Sequence, residues 1–275
     1  MAIPKTIHYC WFGKGQKSEL AEKCIESWKK YCKDYKIKEW NEDNFDINSN
    51  EYVRQAYEAK KYAFVSDYVR LYALYTEGGI YMDTDVEVLR TLDIFLKHKA
   101  FSSFENNNMI PTGILAAEKE NPWIKDLLDE YINLKFLDKN GNMDLTTNVV
   151  RITNLTKEKY DLKLESYFQE LKNGIVTIYP FDYFCPKDWE TGNIKLTDNT
   201  YTIHHFAGSW HTDREKKRNE ESKIKLARYI KKYGEEKGRR RFAIRQNILY
   251  IAMHPIFAIK RIMKKIKEGK IKNEI

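Results

Sequence analysis

The sequence lacks several features that would place it in a broad class of protein at once. Among 275 residues it has only four cysteines, Cys10, Cys24, Cys32 and Cys185, and none of them forms a close pair at zinc-site or redox spacing. We therefore expect reduced, structural thiols. No charged-then-apolar leader precedes the first predicted strand, so we expect a cytoplasmic protein.

Long hydrophobic runs and an even spread of charge are also missing. An apolar stretch near the C-terminus, 248–253 and 256–259, is broken by His254 and Pro255 and is too short to span a bilayer. Residues 211–275 hold 21 Lys and Arg against 8 Asp and Glu, whereas residues 1–210 hold 27 against 32. We predict a catalytic domain at 1–210 and a basic, amphipathic helical extension at 211–275.

The basic extension has two interpretations. Basic clusters on both sides of the apolar stretch favour an amphipathic segment, residues 239–267, that lies on an anionic membrane surface at the inner face of the cell membrane. The alternative is a C-terminal helix packed on the catalytic domain with a solvated basic face. Nucleic acid is not an expected partner, because no zinc, helix-turn-helix or base-stacking motif accompanies the charge.

Strand and helix patterns alternate from the start of the chain. Residues 3–12 read as a strand, 18–31 as a helix and 36–40 as another strand. This is the order of a nucleotide-binding α/β sheet, whose ligands lie at the carboxyl ends of the strands. Trp11 and Gly13 fall where the first strand should end, although Trp11 can also be read as a core aromatic.

The most informative segment runs from Gly78 to Asp85. Asp83 and Asp85 follow a predicted strand at 80–82, and strand alternation would point both carboxylates to one side, where they could bind a single Mg²⁺ or Mn²⁺. Such ions keep open positions for substrate phosphates. Two aspartates with one residue between them are also common in solvated turns, so the pair alone does not establish a metal site.

A strongly apolar helix at 62–76 precedes this segment. We predict that it is largely buried and that Gly78 and Gly79 end it in the left-handed conformation. Asp67 and Arg70 lie three positions apart, on one face of the helix and within pairing distance. Such a buried pair can be purely structural. The nearby aspartates favour a functional cluster instead.

Four motifs, taken in order, resemble the family 32 glycosyltransferases: Ile3–Gly13, Val65–Leu71, Gly78–Asp85 and His204–Trp210. The family includes bacterial capsular and exopolysaccharide sugar transferases and yeast-type initiating mannosyltransferases, and it is related to clostridial glucosylating toxins. The resemblance implies a GT-A fold, that is, an α/β protein with a Rossmann-like mixed sheet flanked by helices. It also implies a nucleotide-sugar donor, a Mn²⁺ or Mg²⁺ ion and retention of anomeric configuration.

The resemblance also suggests roles for individual residues. His204 and His205 point to opposite faces of a predicted strand, and a histidine three residues before a glycine would make His205 the metal ligand with Asp83 and Asp85. The predicted catalytic residues are Asp67, Arg70, Asp83 and Asp85. The predicted donor-binding residues are His8, Trp11, Gly13, Asp67, Arg70, Thr84, Gly208, Ser209 and Trp210.

The middle of the chain gives weaker signals about function. Residues 100–118 hold two strand-like runs, and a helix should open at Pro122. Glu105 either contacts the transferred sugar or lies in an exposed loop. Asn148 lies near the position where family members often have a threonine-glycine-proline sequence. This chain departs from that sequence, so the role of Asn148 stays open.

These observations lead to one main hypothesis and three alternatives. The main hypothesis is metal-dependent, retaining transfer of a hexose from a nucleotide-sugar, favoured as a UDP-sugar, to a glycan acceptor such as a lipid-linked capsular or exopolysaccharide precursor. The alternatives are a toxin-like enzyme that modifies a protein, a metal-dependent nucleotide-sugar phosphohydrolase, and a basic nucleic-acid- or membrane-binding module. The sugar, acceptor, linkage and oligomeric state depend on features that vary freely on one fold.

Overall fold

The computed structural model describes residues 2–106, 108–208 and 213–253. These residues divide into two compact units. The first runs through Trp189 and resumes at Asn193, and the second contains Glu190–Gly192 and the last two helices. The predicted boundary at 210 lies outside the described residues, so the division into 1–210 and 211–275 stays a prediction.

Strands and helices alternate through most of the first unit. In chain order they are β1 (Thr6–Cys10), α1 (Glu19–Tyr31), β2 (Lys36–Trp40), α2 (Glu51–Glu58), α3 (Tyr62–Glu77), β3 (Gly79–Met82), β4 (Val86–Val88), β5 (Ala100–Ser103), β6 (Ile114–Ala117), α4 (Pro122–Asp129), α5 (Asn148–Tyr160), β7 (Gln169–Leu171), β8 (Val176–Tyr179), α6 (Phe181–Phe184) and β9 (Thr202–His204).

Seven of these strands form one mixed sheet, in the order β2-β1-β3-β6-β5-β8-β7. Strand β1 pairs in parallel with β2 and β3, and β5 in parallel with β8, while the other three pairings are antiparallel. Strands β4 and β9 form a separate antiparallel pair. One core cluster includes α2 and α3, and the other includes α1. The predicted fold class, a mixed α/β sheet flanked by helices, is confirmed.

Local sequence signals account for several element boundaries. Helix α1 begins after Ser18, whose hydroxyl accepts a hydrogen bond from the Ala21 amide at 3.2 Å. Strand β2 occupies the predicted residues 36–40. Helix α4 begins at Pro122, as predicted, and the side chain of Asn121 caps its N-terminus. All four cysteines are free and buried, as expected.

Two glycines turn the chain from α3 into β3. Helix α3 is largely buried, as predicted, and ends at Gly78. Gly78 has φ 68 and ψ 178, an extended positive-φ conformation and not the left-handed helical one that we expected. Gly79 has φ 119, and a Cβ there would lie 2.6 Å from the carbonyl oxygen of Thr6. Only glycine fits this close approach of β3 to β1.

The second unit is a helical hairpin, so the described part of the basic extension is helical as predicted. Helices α7 (Asp213–Tyr233) and α8 (Glu235–Met253) are joined at Gly234. A Cβ at Gly238 would lie 2.6 Å from the Cα of Ile230, so α8 crosses α7 at close range. The rings of Tyr229 and Phe242 are 5.8 Å apart across the hairpin.

Replacing Gly238 by valine should destabilise this hairpin by about 1–3 kcal/mol, because the added side chain overlaps the backbone of α7. Ala243→Val, at an exposed position of α8, is the control. Trypsin digestion should cleave the hairpin faster in Gly238→Val than in Ala243→Val. Equal rates of cleavage would contradict the close crossing.

The described part of α8 does not show the predicted amphipathic pattern. Ile244, Ile248 and Leu249 are exposed, but apolar and basic side chains are not separated onto opposite faces of the helix. Residues 254–267 of the predicted membrane segment lie outside the described residues. None of the described helices has the length and the apolar character needed to cross a membrane.

Candidate functional site

The two aspartates lie in a tight turn and not in a strand. The Val86 amide donates a hydrogen bond to the carbonyl oxygen of Asp83 at 3.0 Å, which closes the turn. Strand alternation is therefore the wrong reason for their convergence, but the turn still brings the carboxylates together. Asp83, Asp85 and His204 each offer one ligand atom, and these atoms lie within 4.8 Å of one another.

The histidine placed with the aspartates is His204 and not the predicted His205. Strand β9 pairs with β4 so that His204 lies opposite Val86, and the Nε2 atom of His204 is 3.4 Å from Oδ1 of Asp85. The His205 ring lies 2.8 Å from the Glu87 carboxylate. The two rings thus have different carboxylate partners, which corrects the choice made from the sequence.

The chain after β9 folds back onto Asp85. The Ala207 amide donates a hydrogen bond to Oδ2 of Asp85 at 2.7 Å. Gly208 follows in a left-handed conformation with φ 57. Ser209 and Trp210, two of the predicted donor-binding residues, lie outside the described residues. The backbone at Ala207 therefore helps to orient Asp85.

Asp85 and His204 perturb each other's protonation. Burial opposes ionisation of Asp85, but the charge and hydrogen bond of the His204 ring, together with the backbone amides of Ala207 and Asp85, outweigh it and lower the pKa of the carboxyl to about 2. Burial likewise opposes protonation of His204, but the charge and hydrogen bond of Asp85, together with Cys185, outweigh it and hold the ring's pKa well above 6.5. A divalent cation would replace the proton on the ring, because a ligating histidine is neutral.

The donor set fits a divalent metal ion. Two carboxylate oxygens suit Mg²⁺ or Mn²⁺, and an imidazole nitrogen can serve as a third ligand. Within the described residues, the Nδ1 atom of His204 is buried and has no hydrogen-bond partner. A Cβ at Gly113 would lie 2.8 Å from that atom, so glycine makes room for the ring beside the aspartate turn.

Arg70 joins this turn to α3. Its side chain is 5% exposed and lies 3.1 Å from Oδ1 of Asp67 and 3.2 Å from Oδ1 of Asp83. It also donates a hydrogen bond to the Thr112 carbonyl at 2.7 Å, and its guanidinium lies 4.6 Å from the centre of the Tyr81 ring. The predicted Asp67–Arg70 pairing is confirmed, and Asp83 shares the same cation.

Tyr81 also belongs to this cluster, although it was not among the predicted site residues. Its hydroxyl donates a hydrogen bond to Oδ1 of Asp83 at 2.9 Å. Tyr81 lies in β3 and Asp83 directly follows that strand, so a separation of one position still places the two side chains on one side. The sequence therefore contained the signal that would have identified Tyr81.

Asp67 is a buried carboxyl with a strongly shifted pKa. Burial raises the pKa to about 7, while Arg70 and Arg151 act in the opposite direction. The ionised form of Asp67 therefore depends on neighbouring cations.

His8, one of the predicted donor-binding residues, has its ring enclosed by protein groups. It is completely buried in β1. Its Nδ1 atom accepts a hydrogen bond from Nε1 of Trp40 at 3.1 Å, and its Nε2 atom lies 2.8 Å from the Gly78 carbonyl oxygen. Because the indole N–H only donates and the carbonyl only accepts, His8 carries its proton on Nε2. Both ring nitrogens are therefore used within the protein.

Trp11 and Gly13 lie directly after β1, where ligands are expected on such a sheet. Trp11 is half-buried, and its Nε1 atom donates a hydrogen bond to the Gly15 carbonyl at 2.7 Å. Gly13 has φ 90, and a Cβ there would lie 2.3 Å from the Tyr62 ring. Their contact with a donor nucleotide stays a prediction.

Thr84 and Glu105 complete the set of predicted contacts that the structure describes. Thr84 is half-buried in the turn between the two aspartates. Glu105 follows β5, and burial raises its pKa while the charge of His204 opposes that rise. Glu105 is half-buried and does not lie in a fully exposed loop.

Part of the chain is similar to known glycosyltransferases. Residues 18–102 match the family model described as the glycosyltransferase sugar-binding region containing a DXD motif. This range includes Asp67, Arg70, Asp83 and Asp85. Inositol phosphoceramide mannosyltransferase 3 of Schizosaccharomyces pombe is 30% identical over 131 residues, which cover 45% of this chain and 35% of that protein. The chain thus spans about a third of the length of this curated relative.

Solved glycosyltransferase structures show a lower similarity. The PaToxG glycosyltransferase has a TM-score of 0.44 at 20% identity, over 57% of this chain and 70% of that chain. A glycosyltransferase involved in the glycosylation of the major capsid of PBCV-1 has a TM-score of 0.42 at 13% identity, over 79% of this chain and 98% of that chain.

Proposed function

We propose that the protein is a metal-dependent, retaining glycosyltransferase of family 32 with a GT-A fold. It transfers a hexose from a UDP-sugar to a glycan acceptor, which we propose is a lipid-linked capsular or exopolysaccharide precursor. One observation carries the proposal: Asp83, Asp85 and His204 converge beside the Asp67–Arg70 pair. Four of these five residues lie in the segment that matches the sugar-binding family model.

The residues of the site have different roles in this proposal. Asp83, Asp85 and His204 would hold Mn²⁺ or Mg²⁺, which supplies charge to stabilise the departing nucleoside diphosphate. Arg70 contacts Asp83 and so orients one of the ligands. Asp67 accepts a hydrogen bond from a hydroxyl of the transferred sugar.

Retention follows from attack by the acceptor on the face from which the nucleoside diphosphate leaves. The bond from the anomeric carbon to the phosphate oxygen breaks, and a bond from that carbon to the acceptor oxygen forms. The acceptor proton passes to the departing phosphate oxygen, so this route requires no separate protein base. Glycosyl transfer of this kind passes through an oxocarbenium-like state.

Donor hydrolysis without an acceptor tests the proposal. The protein is incubated with Mn²⁺ and each of several UDP- and GDP-hexoses, and we expect slow release of the free sugar and the nucleoside diphosphate from at least one UDP-hexose. EDTA should stop the reaction, and proton NMR should show that the sugar is released with the anomeric configuration of the donor. Release of a nucleoside monophosphate and a sugar 1-phosphate would favour the phosphohydrolase. The assignment fails if no donor is cleaved.

We also propose that residues 239–267 bind an anionic membrane surface, which places the enzyme at the inner face of the cell membrane beside a lipid-linked acceptor. Three consecutive arginines, Arg239, Arg240 and Arg241, precede exposed Ile248 and Leu249 on α8. In sedimentation assays, the protein should bind phosphatidylglycerol vesicles at about 0.1 M salt and less at about 0.5 M. Equal binding to phosphatidylcholine vesicles would contradict this.

A further inference from the structure

Asn148, the first residue of α5, has a polar side chain that is buried against α3. It is 2% exposed. Its Nδ2 atom donates a hydrogen bond to the carbonyl oxygen of Asp67 at 3.1 Å. Within an α-helix that oxygen also accepts a hydrogen bond from the amide of Leu71, so Asn148 uses its second lone pair. The bond therefore leaves α3 regular and attaches it to α5 at Asp67.

The Tyr131 hydroxyl holds the other end of the Asn148 amide. It donates a hydrogen bond to Oδ1 of Asn148 at 3.3 Å, and Tyr131 is 1% exposed. The Tyr131 carbonyl accepts a hydrogen bond at 3.1 Å from the side chain of Asn50, the residue that caps α2. Because the Asp67 carbonyl only accepts, the amide nitrogen of Asn148 must face it. Asn148 is thus held in one orientation, with its donor toward α3.

Asp67 is close to two attachments of α3 to the rest of the fold. The first is Arg70, whose guanidinium lies 3.1 Å from the Asp67 carboxylate and 3.2 Å from the Asp83 carboxylate of the aspartate turn. The second is the bond from Asn148. Arg70 lies on the same helix as Asp67 and moves with it, whereas Asn148 belongs to α5. The position of the Asp67 backbone therefore depends on Asn148 as well as on the turn.

We propose that Asn148 is a positioning residue for the donor-sugar site: it holds the α3 backbone so that the Asp67 carboxylate can accept a hydrogen bond from a hydroxyl of the transferred hexose. The inference rests on the proposed function. Both ends of the Asn148 amide are bonded within the protein, so Asn148 acts through Asp67 and not by contact with the sugar. Hydrogen bonds weaken steeply when they are misaligned, so a small shift of α3 would weaken the sugar contact.

This role separates the sugar from the rest of the donor. Asp67 is not among the three potential metal ligands, which would contact the diphosphate through the ion. UDP has the diphosphate but no hexose. A change at Asn148 should therefore weaken binding of a UDP-hexose and leave binding of UDP unchanged.

The test compares Asn148→Leu, which is similar in size but has no hydrogen-bonding group, with Tyr131→Phe. Both changes break a hydrogen bond of the same amide, but only the first releases Asp67. Affinities for UDP and for the UDP-hexose that the wild type cleaves are measured by calorimetry with Mn²⁺ present. We expect Asn148→Leu to weaken UDP-hexose binding about tenfold without changing UDP binding, and Tyr131→Phe to change either affinity by less than about twofold.

A double-mutant cycle shows whether Asn148 acts through Asp67. In an Asp67→Asn background, the carboxylate that Asn148 positions is gone. Adding Asn148→Leu to this background should therefore change UDP-hexose affinity by less than about twofold. A general structural role would instead give the same loss in both backgrounds.

Three outcomes would overturn the inference. They are equal losses of UDP and UDP-hexose affinity in Asn148→Leu, unchanged UDP-hexose affinity in that variant, and an equal loss in the two backgrounds. If circular dichroism shows that Asn148→Leu does not fold, Asn148→Ala replaces it with the same expectations. If the wild type binds UDP but no UDP-hexose, the proposed function fails, and this inference fails with it. A wild type that cleaves a UDP-hexose, with an Asn148→Leu variant that binds it normally, would contradict this inference alone.

Discussion

Donor cleavage should fall roughly 100- to 1000-fold when Asp85 is replaced by asparagine. The Asp85 carboxylate is held from two sides, by the Ala207 amide at 2.7 Å and by the His204 ring at 3.4 Å. Its low pKa keeps it ionised over the whole neutral range. An asparagine has a similar shape but carries no charge, so it would not hold a hard divalent cation tightly.

The measurement is release of the nucleoside diphosphate from the cleaved UDP-hexose at saturating Mn²⁺. Asp34→Asn is the matched control, because Asp34 is an aspartate whose side chain is 64% exposed and whose ion pair with Lys5 lies on the surface. Thermal unfolding of both variants separates a loss of chemistry from a loss of folding. A folded Asp85→Asn protein with wild-type turnover would remove Asp85 from the site.

His204→Ala should raise the Mn²⁺ concentration needed for half-maximal activity by about 100-fold or more, whereas His205→Ala should change it only a few-fold. His204 offers its nitrogen to the same space as Asp83 and Asp85, and its removal would leave only the two carboxylates. The His205 ring lies against Glu87 instead. The two adjacent histidines therefore act as controls for each other.

Two measurements check this difference. Electron paramagnetic resonance of free Mn²⁺ gives the metal affinity without any turnover, and donor cleavage at a series of Mn²⁺ concentrations gives the functional requirement. The order of the two variants is the decisive result. A larger loss in His205→Ala would restore His205 as the ligand, in agreement with the sequence prediction and against the geometry.

Local patterns made much of the fold predictable. The helical spacing of apolar residues at 62–76 predicted a helix, which the structure shows as α3. The strand pattern at 36–40 predicted a strand, which the structure shows as β2. The pairing of Asp67 with Arg70 also follows from helical spacing alone. These features depend on residues within a few positions of one another, where the backbone geometry is regular.

Features that depend on distant residues were not predictable in the same way. The choice between His204 and His205 is decided by the pairing of β9 with β4, more than a hundred residues earlier in the chain. Asn148 and Asp67 are 81 positions apart in the sequence, and no spacing rule connects them. His8 belongs to a motif of the family resemblance, yet its partners Trp40 and Gly78 enclose it in the core.

The sequence by itself determined the mixed α/β fold, the acidic pair Asp83 and Asp85, and the ion pair on α3 beside it, because helix and strand periods and close spacing act over short distances. Only the tertiary structure decided which histidine joins the aspartates and that Asn148 lies against Asp67. Those contacts come from strand register and helix packing, which bring together residues that are far apart in the chain.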